Sequence, residues 1–289
     1  MQRIFVENNI DIIKKYNLPT EVKFCKKCVI SNQRPRIRFD KEGVCSACRF
    51  AEKKKYHIDW NERQKVFLDL LDRHRRKDGK WDVIVPASGG KDSFYVAHML
   101  KYKYNMTPLT TTWAPHIYTD VGWRNLQHMI HSGLGNILGT PDGKLHRTLT
   151  KLSTELLGDP FQPFIYGQKA FPMQIALKFK IPLVMYGENG ECEYGGDEKN
   201  EEKPTHNVTD DLTRHYFSEI MPQDWQKYGI DKKQLNYYLP PSKEEAEEIG
   251  LENHFFGFYH KWVPQENYYY SVEHGGFECE PDGRSEGTY

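Results

Sequence analysis

Short apolar runs alternate with amphipathic stretches through the middle of the chain. The apolar runs have the length and β-branched content of buried strands, and they lie at residues 81–86, 107–113 and 181–187. The amphipathic stretches repeat their apolar residues with helical spacing, and they lie at residues 61–74, 94–103, 122–132, 145–157 and 168–178. Strands that alternate with helices predict an α/β fold with a doubly wound parallel sheet. Because ligands of such a sheet bind beyond the carboxyl ends of its strands, we expect a site formed by residues 87–93, 112–120 and 187–197.

The same pattern divides the chain into four predicted segments. These are an N-terminal module at 1–58, a linking helix at 59–80, the α/β domain at 81–205 and a helical, aromatic region on the substrate side at 206–289. The alternation of strands and helices weakens in the last segment, where Ser242 is expected to cap a helix over 243–249.

The junction between the first predicted strand and the next helix carries the clearest chemical signal. It has the sequence Ser88-Gly89-Gly90-Lys91-Asp92-Ser93. Two glycines let the backbone approach a bound group, and the unpaired N–H groups of a helix start attract an anion. The serine hydroxyls and the Lys91 ammonium add donors and positive charge, which predicts a cradle for pyrophosphate. The spacing differs from the G-x-x-x-x-G-K-[ST] loop. It resembles the PP-loop, S-G-G-x-D-S, of ATP pyrophosphatases, which have an adenine nucleotide α-hydrolase-like fold.

Four cysteines near the N-terminus form two C-x-x-C pairs. Cys25 and Cys28 make the first pair, Cys45 and Cys48 make the second, and sixteen residues lie between the two pairs. This spacing is typical of a zinc ribbon, in which four thiolates hold one structural Zn²⁺ and leave no open coordination position. An iron–sulfur cluster or a redox pair is the alternative that the ligand type leaves open. Such a small module depends on its metal to fold.

Composition and charge narrow the setting of the protein. The 289 residues contain no apolar run long enough to span a membrane, and the first residues lack the apolar core of a signal peptide. Because the cysteine pattern suits metal binding in a reducing compartment, we expect a cytoplasmic enzyme without membrane insertion. Residues 1–80 carry 21 Lys and Arg against 11 Asp and Glu. A solvated helix face, with Val66 and Leu68 among the residues buried beneath it, explains this excess better than an RNA-binding surface. We therefore do not expect nucleic acid as a partner.

Several segments in combination resemble the N-acetyl sugar amidotransferases, which take part in making bacterial surface sugars such as lipopolysaccharide components and nonulosonic acids. Besides the ribbon and the PP-loop, the segments that carry the resemblance are Thr112-Trp113-Ala114-Pro115-His116, Tyr186-Gly187-Glu188-Asn189-Gly190-Glu191, His260-Lys261-Trp262-Val263-Pro264 and His274-Gly275-Gly276-Phe277-Glu278. The resemblance extends from about Lys23 to the end. Members of that family continue further, so it implies that this chain is truncated at Tyr289.

The resemblance implies an AMP-forming amidotransferase. The acetamido oxygen of a sugar attacks the α-phosphate of ATP, pyrophosphate leaves, and ammonia displaces AMP from the resulting O-adenylyl imidate to give an acetamidino sugar. The residues expected to bind ATP are Ser88, Gly89, Gly90, Lys91, Asp92, Ser93, Thr112, Trp113 and Gly187. The residues expected to be catalytic are Lys91, Asp92, Glu188 and Glu191.

Two of these roles follow from general chemistry. Asp92 is expected to share Mg²⁺ with the departing pyrophosphate, because linked phosphates need a cation while the bond breaks. Glu188 or Glu191 is expected to take a proton from the ammonia or the amide N–H. The alternative for both glutamates is a solvated acidic loop.

The chain is not expected to release ammonia itself. Gln2 follows Met1 where a nucleophilic cysteine would be needed, and Cys192 and Cys279 lie among acidic residues that oppose thiolate formation. The resemblance implies a partner glutaminase with an ammonia-channelling barrel subunit, and free ammonium is the other source. The rival hypothesis is a PP-loop tRNA thiolase. Several such enzymes hold an iron–sulfur cluster on three further cysteines, more than the two that remain here.

Overall fold

The computed structural model describes residues 12–15, 17–196, 198–205 and 216–281. Within them, five parallel strands form one sheet in the order β3-β2-β1-β4-β5. The strands are β1 (Val83–Pro86), β2 (Pro108–Trp113), β3 (Gly135–Gly139), β4 (Leu183–Tyr186) and β5 (Glu252–Phe255). The register places Ile84 of β1 beside Leu109 of β2 and Val184 of β4. The predicted α/β fold with a parallel sheet is therefore confirmed.

Helices surround this sheet. They are α1 (Ile12–Lys15), α2 (Ser46–Tyr56), α3 (Trp60–His74), α4 (Lys91–His98), α5 (Asp120–His131), α6 (Gly143–Leu157), α7 (Gln162–Phe179), α8 (Gly190–Glu193), α9 (Lys243–Glu248), α10 (Phe256–Tyr259) and α11 (Pro264–Gly275). A π-helical segment, Met99–Lys103, continues α4, and 3₁₀ segments lie at Glu198–Asn200, Pro222–Tyr228 and Lys232–Tyr238. Among the helices of the described residues, none has both the length and the apolar character needed to cross a membrane.

Alternate residues of the central strands enter two separate cores. Val83 and Val85 pack on one face of the sheet with apolar residues of α3, α4 and α5. Ile84 and Val184 pack on the other face with residues of α6 and α7. Strands buried on both faces are what a doubly wound parallel sheet requires, so the predicted layering is confirmed.

Two strands were not predicted from the apolar pattern. β3 lies at an edge of the sheet and is bounded by Gly135 and Gly139; two of its five residues are exposed, two are partly buried and one is buried. β5 contains two polar residues, Asn253 and His254, and both are buried. Asn253 donates a hydrogen bond to the Met173 sulfur, and His254 pairs with the Tyr259 hydroxyl. Since β5 pairs with β4, residues beyond 205 complete the same sheet. The predicted division at residue 205 stays a prediction.

Helix α3 corrects one expectation about burial. Phe67, Leu70 and Leu71 face the core, whereas Val66 is 45% exposed and Leu68 is 43% exposed. The prediction that Val66 and Leu68 are buried is therefore wrong. With 3.6 residues per turn, the face that contains positions 67, 70 and 71 turns both of them outward.

Helix starts differ in a way that matters for the site. Asp59 accepts hydrogen bonds from backbone N–H groups at the start of α3. Ser242 accepts one from Glu245 at the start of α9, which confirms the predicted cap. Helix α4, in contrast, has Gly90 at its N-cap and so has no capping side chain. Its first N–H groups can therefore bind a ligand.

Candidate active site and metal centre

A cavity of about 510 Å³ lies beyond the carboxyl ends of β1, β2 and β4. Its walls come from the loop between β1 and α4, the end of β2, the first half of α7 and the segment after β4. Of the predicted site residues, the cavity is lined by Ser88, Gly90, Lys91, Asp92, Ser93, Trp113, Gly187 and Glu188. This is the edge of the sheet where parallel α/β folds bind ligands.

The loop before α4 is closed by its own serines. The backbone N–H of Ser88 donates to the Ser93 hydroxyl over 3.3 Å, and the N–H of Gly90 donates to the Ser88 hydroxyl over 3.3 Å. The Ser93 hydroxyl in turn donates to the Gly90 carbonyl over 3.0 Å. These bonds fold the loop tightly around the uncapped start of α4, where the helix dipole favours an anion.

The two glycines of the loop have different surroundings. Gly89 has a φ of +87°, and a Cβ built on it would lie 2.7 Å from the Cα of Leu126 on α5. This position therefore admits only glycine, for conformation and for packing. Gly89 does not line the cavity in the described structure, whereas Gly90 does.

Lys91 and Asp92 are held by helix α11. The Lys91 side chain is nearly buried, and its ammonium lies 2.9 Å from one carboxylate oxygen of Asp92. Asn267 donates to the other oxygen over 2.9 Å, and the Ser271 hydroxyl donates to the Lys91 carbonyl over 2.9 Å. Sequence reasoning missed Asn267 and Ser271. The sequence feature that could have identified them is a pair of polar residues one helical turn apart. Both side chains are buried.

Strand β2 presents Thr111 and Trp113 to the cavity. The hydroxyl of Thr112, on the opposite face, donates to the Ala87 carbonyl over 2.6 Å and accepts from Asn136 over 2.8 Å. Thr112 therefore holds strands together instead of lining the cavity. Within the described residues, the Thr111 hydroxyl and the Trp113 indole N–H are buried without a hydrogen-bond partner. The two-residue period of a strand was the signal that could have identified Thr111.

The two candidate bases have separate environments. Glu188 lines the cavity, and burial raises the pKa of its carboxyl group while Asp92 adds to the rise. Glu191 does not line it: Arg36 donates to both of its oxygens, over 2.9 and 2.6 Å. Asp197, at the end of the predicted acidic loop, lies outside the described residues.

Lys169 on α7 is a cavity residue that sequence reasoning missed. Its ammonium lies 3.8 Å from the ring centroid of Tyr216 and 4.6 Å from that of Tyr186. Burial lowers the pKa of Lys169 to about 8, although the nearby Glu188 opposes this shift. The sequence signal was a lysine on an otherwise apolar helix face, which by itself is ambiguous.

The four predicted metal ligands lie together. The sulfur atoms of Cys25, Cys28, Cys45 and Cys48 are all within 4.8 Å of one another. Although burial opposes ionisation, backbone N–H groups lower the pKa of Cys25 to about 6. Two of these N–H groups, from Lys27 and Cys45, donate to its sulfur over 3.3 Å each. Four converging thiol groups, one already favoured as thiolate, suit a metal ion or an iron–sulfur cluster.

The cysteine module packs against the segment that follows β4. Besides the pair of Arg36 with Glu191, Lys54 of α2 is buried, forms an ion pair with Glu193 and donates to the Trp262 carbonyl over 3.2 Å. Gly195 lies so close to Ile37 and Ala47 that a Cβ would meet both at 3.2 Å. The cysteine module and the segment that carries Glu188 are therefore in direct contact.

No family model matches the chain, and no curated protein matches it. Solved structures that match include the U34-tRNA thiolase NcsA from Methanococcus maripaludis, described with its 4Fe–4S cluster. It is 15% identical, the match covers 89% of this chain and 73% of that chain, and the TM-score is 0.31. They also include NMN synthetase from Francisella tularensis, at 10% identity over 78% of this chain and 99% of that chain, with a TM-score of 0.35. Similarities this low carry no inference about activity.

Proposed function

We propose that this protein is an ATP-dependent enzyme of the PP-loop type and, more specifically, an AMP-forming N-acetyl sugar amidotransferase. The observation that supports the general assignment is that the uncapped start of α4, with Lys91, shares one cavity with the carboxylate of Glu188. An anion cradle beside a proton acceptor suits transfer of a nucleotidyl group to a weak nucleophile. The acetamido sugar as acceptor is supported by the sequence resemblance.

In this proposal the pyrophosphate half of ATP lies at the start of α4. The backbone N–H groups there, the serine hydroxyls and Lys91 would hold its oxygens. Thr111 and Trp113, with buried polar atoms that lack partners in the described structure, would contact the nucleoside. The acceptor sugar would then occupy the side of the cavity formed by Glu188 and α7.

The proposed reaction has two steps. The acetamido oxygen forms a bond to the α-phosphorus as the bond to pyrophosphate breaks, and the amide N–H proton passes to Glu188, which leaves an O-adenylyl imidate. Ammonia then adds to the imidate carbon and AMP leaves, so that an acetamidino group remains. Because an amide oxygen is a weak nucleophile, positioning and charge neutralisation supply most of the acceleration. The raised pKa of Glu188 makes it a stronger base than an exposed carboxylate.

Two metals and one partner complete the proposal. The Asp92 side chain is 33% exposed, so it can offer an oxygen to Mg²⁺. The Mg²⁺ would neutralise charge on the departing pyrophosphate. The four cysteines would hold a structural Zn²⁺. A glutaminase partner with a barrel subunit would deliver ammonia, and free ammonium would replace it in vitro.

The test is product analysis after incubation with ATP, Mg²⁺, ammonium and a panel of acetamido sugars. We expect AMP and pyrophosphate only when a suitable sugar is present, and mass spectrometry should show replacement of the carbonyl oxygen by an imino group only when ammonium is supplied. Release of ADP and phosphate would contradict the PP-loop assignment. Formation of AMP and pyrophosphate with tRNA, and with no sugar, would favour the thiolase instead.

A further inference from the structure

Lys169 is a buried cation whose counter-charge is missing from the described structure. Only 8% of its surface is exposed, and it lines the cavity. Its ammonium contacts the rings of Tyr216 and Tyr186. In the described part of the chain, no carboxylate forms an ion pair or hydrogen bond with it; Glu188 attracts it without pairing.

This arrangement is unusual for a lysine that serves only the fold. Buried charges are normally paired, because removing an ammonium from water costs more than packing returns. Two aromatic rings compensate for part of that loss, but they do not neutralise the charge. A ligand anion in the cavity would supply the missing partner.

Lys169 and the proposed phosphate cradle belong to helices on opposite faces of the sheet. The cradle lies at the start of α4, which packs on the face of the sheet that contains Val83 and Val85. Helix α7 packs on the opposite face, with Ile84. Because the two groups enter the cavity from opposite faces of the sheet, a pyrophosphate group bound at α4 would leave Lys169 to bind a different negative group of the reactants.

We propose that Lys169 forms a second anion subsite in the cavity, which binds a negatively charged oxygen of a reactant other than the departing pyrophosphate. This inference rests on the proposed function in taking the cavity as the place of reaction. The anionic oxygen has two sources, the α-phosphate of the nucleotide and a carboxylate on the acceptor sugar. Both require the same recognition, a charge-assisted hydrogen bond from a desolvated ammonium.

The experiment measures binding by titration calorimetry with four separate probes. Inorganic pyrophosphate reports on the α4 cradle, and AMP reports on the α-phosphate. A nucleotide-linked acetamido uronate, compared with the same sugar nucleotide that has no carboxylate, reports on the acceptor. The proteins are the wild type, Lys169→Met, Lys169→Arg and, as a matched control on the exposed end of the same helix, Lys178→Met.

We expect Lys169→Met to lower the affinity for one of two probes by about tenfold or more, because a hydrogen bond to a charged group is lost. The affected probe is either AMP or the uronate, and in the second case the variant no longer prefers the uronate to the sugar nucleotide without a carboxylate. Whichever probe responds identifies the source of the anion. Pyrophosphate affinity should be unchanged, Lys169→Arg should bind like the wild type, and Lys178→Met should match the wild type with every probe. Thermal unfolding of each variant verifies that it is folded.

The inference is overturned if Lys169→Met binds both AMP and the uronate as the wild type does, or if the wild type binds neither probe. Failure of the proposed function has a different signature. In that case wild-type protein would not bind pyrophosphate, whatever Lys169→Met does with the other probes.

Discussion

At the phosphate cradle, Lys91 and Ser93 are the side chains best placed to act on a departing pyrophosphate. Lys91 lies at the first position of α4, and the Ser93 hydroxyl closes the loop onto Gly90. We expect Lys91→Ala and Ser93→Ala each to lower turnover by roughly 10²-fold or more, because the first removes a positive charge beside the departing pyrophosphate and the second removes the hydroxyl that holds the loop closed. Steady-state assays of pyrophosphate release measure this. Near-wild-type turnover in both variants would contradict the placement of the phosphates at α4.

The two glutamates after β4 are predicted to differ. Glu188 faces the cavity with a raised pKa, whereas Glu191 is engaged by Arg36 outside it. Glu188→Gln should therefore slow the chemical step by roughly 10²-fold, since an amide cannot accept the proton. Glu191→Gln should cause a clearly smaller loss. Single-turnover kinetics separate chemistry from binding, and equal losses in the two variants would show that Glu188 is not the base.

Lys169 makes anion binding depend on pH. Its pKa is lowered from 10.5 to about 8, and the groups that face it are Glu188, Tyr186 and Tyr216. Burial raises the pKa of Tyr186, so this ring stays neutral. The cation is present below about pH 8 and is lost as pH rises through this value. Affinity for the probe that responds to Lys169→Met should thus fall above this pH.

The control for this pH profile is Lys169→Arg, because a guanidinium keeps its charge throughout the range. Its affinity should stay constant where that of the wild type falls. Above the second phosphate ionisation, near pH 6, the charge on AMP does not change, so it does not confound the comparison. A flat profile for the wild type would mean that Lys169 does not bind the anion as a cation.

At the scale of elements, the cysteine module and the segment after β4 form one contact surface. Arg36 and Lys54 reach from the module to Glu191 and Glu193. The module has a small core, formed by Cys25, Val44 and Cys45 with partly buried neighbours, so we expect its fold to depend on a metal bound by the four cysteines. Loss of the metal should therefore disturb the segment that carries Glu188. Helix α4 is a separate element and should be less affected.

Metal removal tests this coupling. Purified protein should contain about one Zn²⁺ per chain, with Zn–S distances of about 2.3 Å. In Cys28→Ser we expect loss of zinc and of turnover, but retained pyrophosphate affinity, because the cradle is formed by β1 and α4. Arg36→Gln breaks one contact without touching the metal and should cause a smaller loss of turnover. Iron in place of zinc, or full turnover without metal, would contradict this account.

For the whole molecule, the sequence predicts what local patterns determine. Strands β1, β2 and β4 are apolar runs, and the PP-loop-like sequence 88–93 is a contiguous motif, so both could be recognised directly. Strand β5 could not, because it contains the polar residue Asn253, whose side chain is buried against a partner, Met173, that lies 80 residues away. Lys169 is similar: its burial and its partner rings come from packing of distant segments. The place of Thr111 in the cavity could have been predicted from the sequence, because side chains two residues apart on β2 share a face and Trp113 was already a candidate.

Acid should lower the stability of the cores on both faces of the sheet. Burial lowers the pKa of His98 and His260, which pack against aromatic rings of the core that contains Val83, and of His146, which packs against Tyr238 of the core that contains Ile84, to about 4 in each case. The ordinary value for histidine is 6.5. The unfolded chain therefore binds more protons between these values, and stability that is complete above pH 6.5 is lost as pH falls towards 4.

His260 offers the sharpest test of this acid sensitivity. Its ring stacks on Phe256, with centroids 4.2 Å apart, and its Nε2 lies 2.9 Å from the Tyr104 hydroxyl. His260→Gln removes one group that must be protonated against burial, so the unfolding temperature should decline less steeply with acid, even if it starts lower at neutral pH. Exposed His131→Gln should keep the wild-type slope. Calorimetric unfolding over this pH range measures the slopes, and equal slopes for all three proteins would show that His260 does not contribute to the loss of stability in acid.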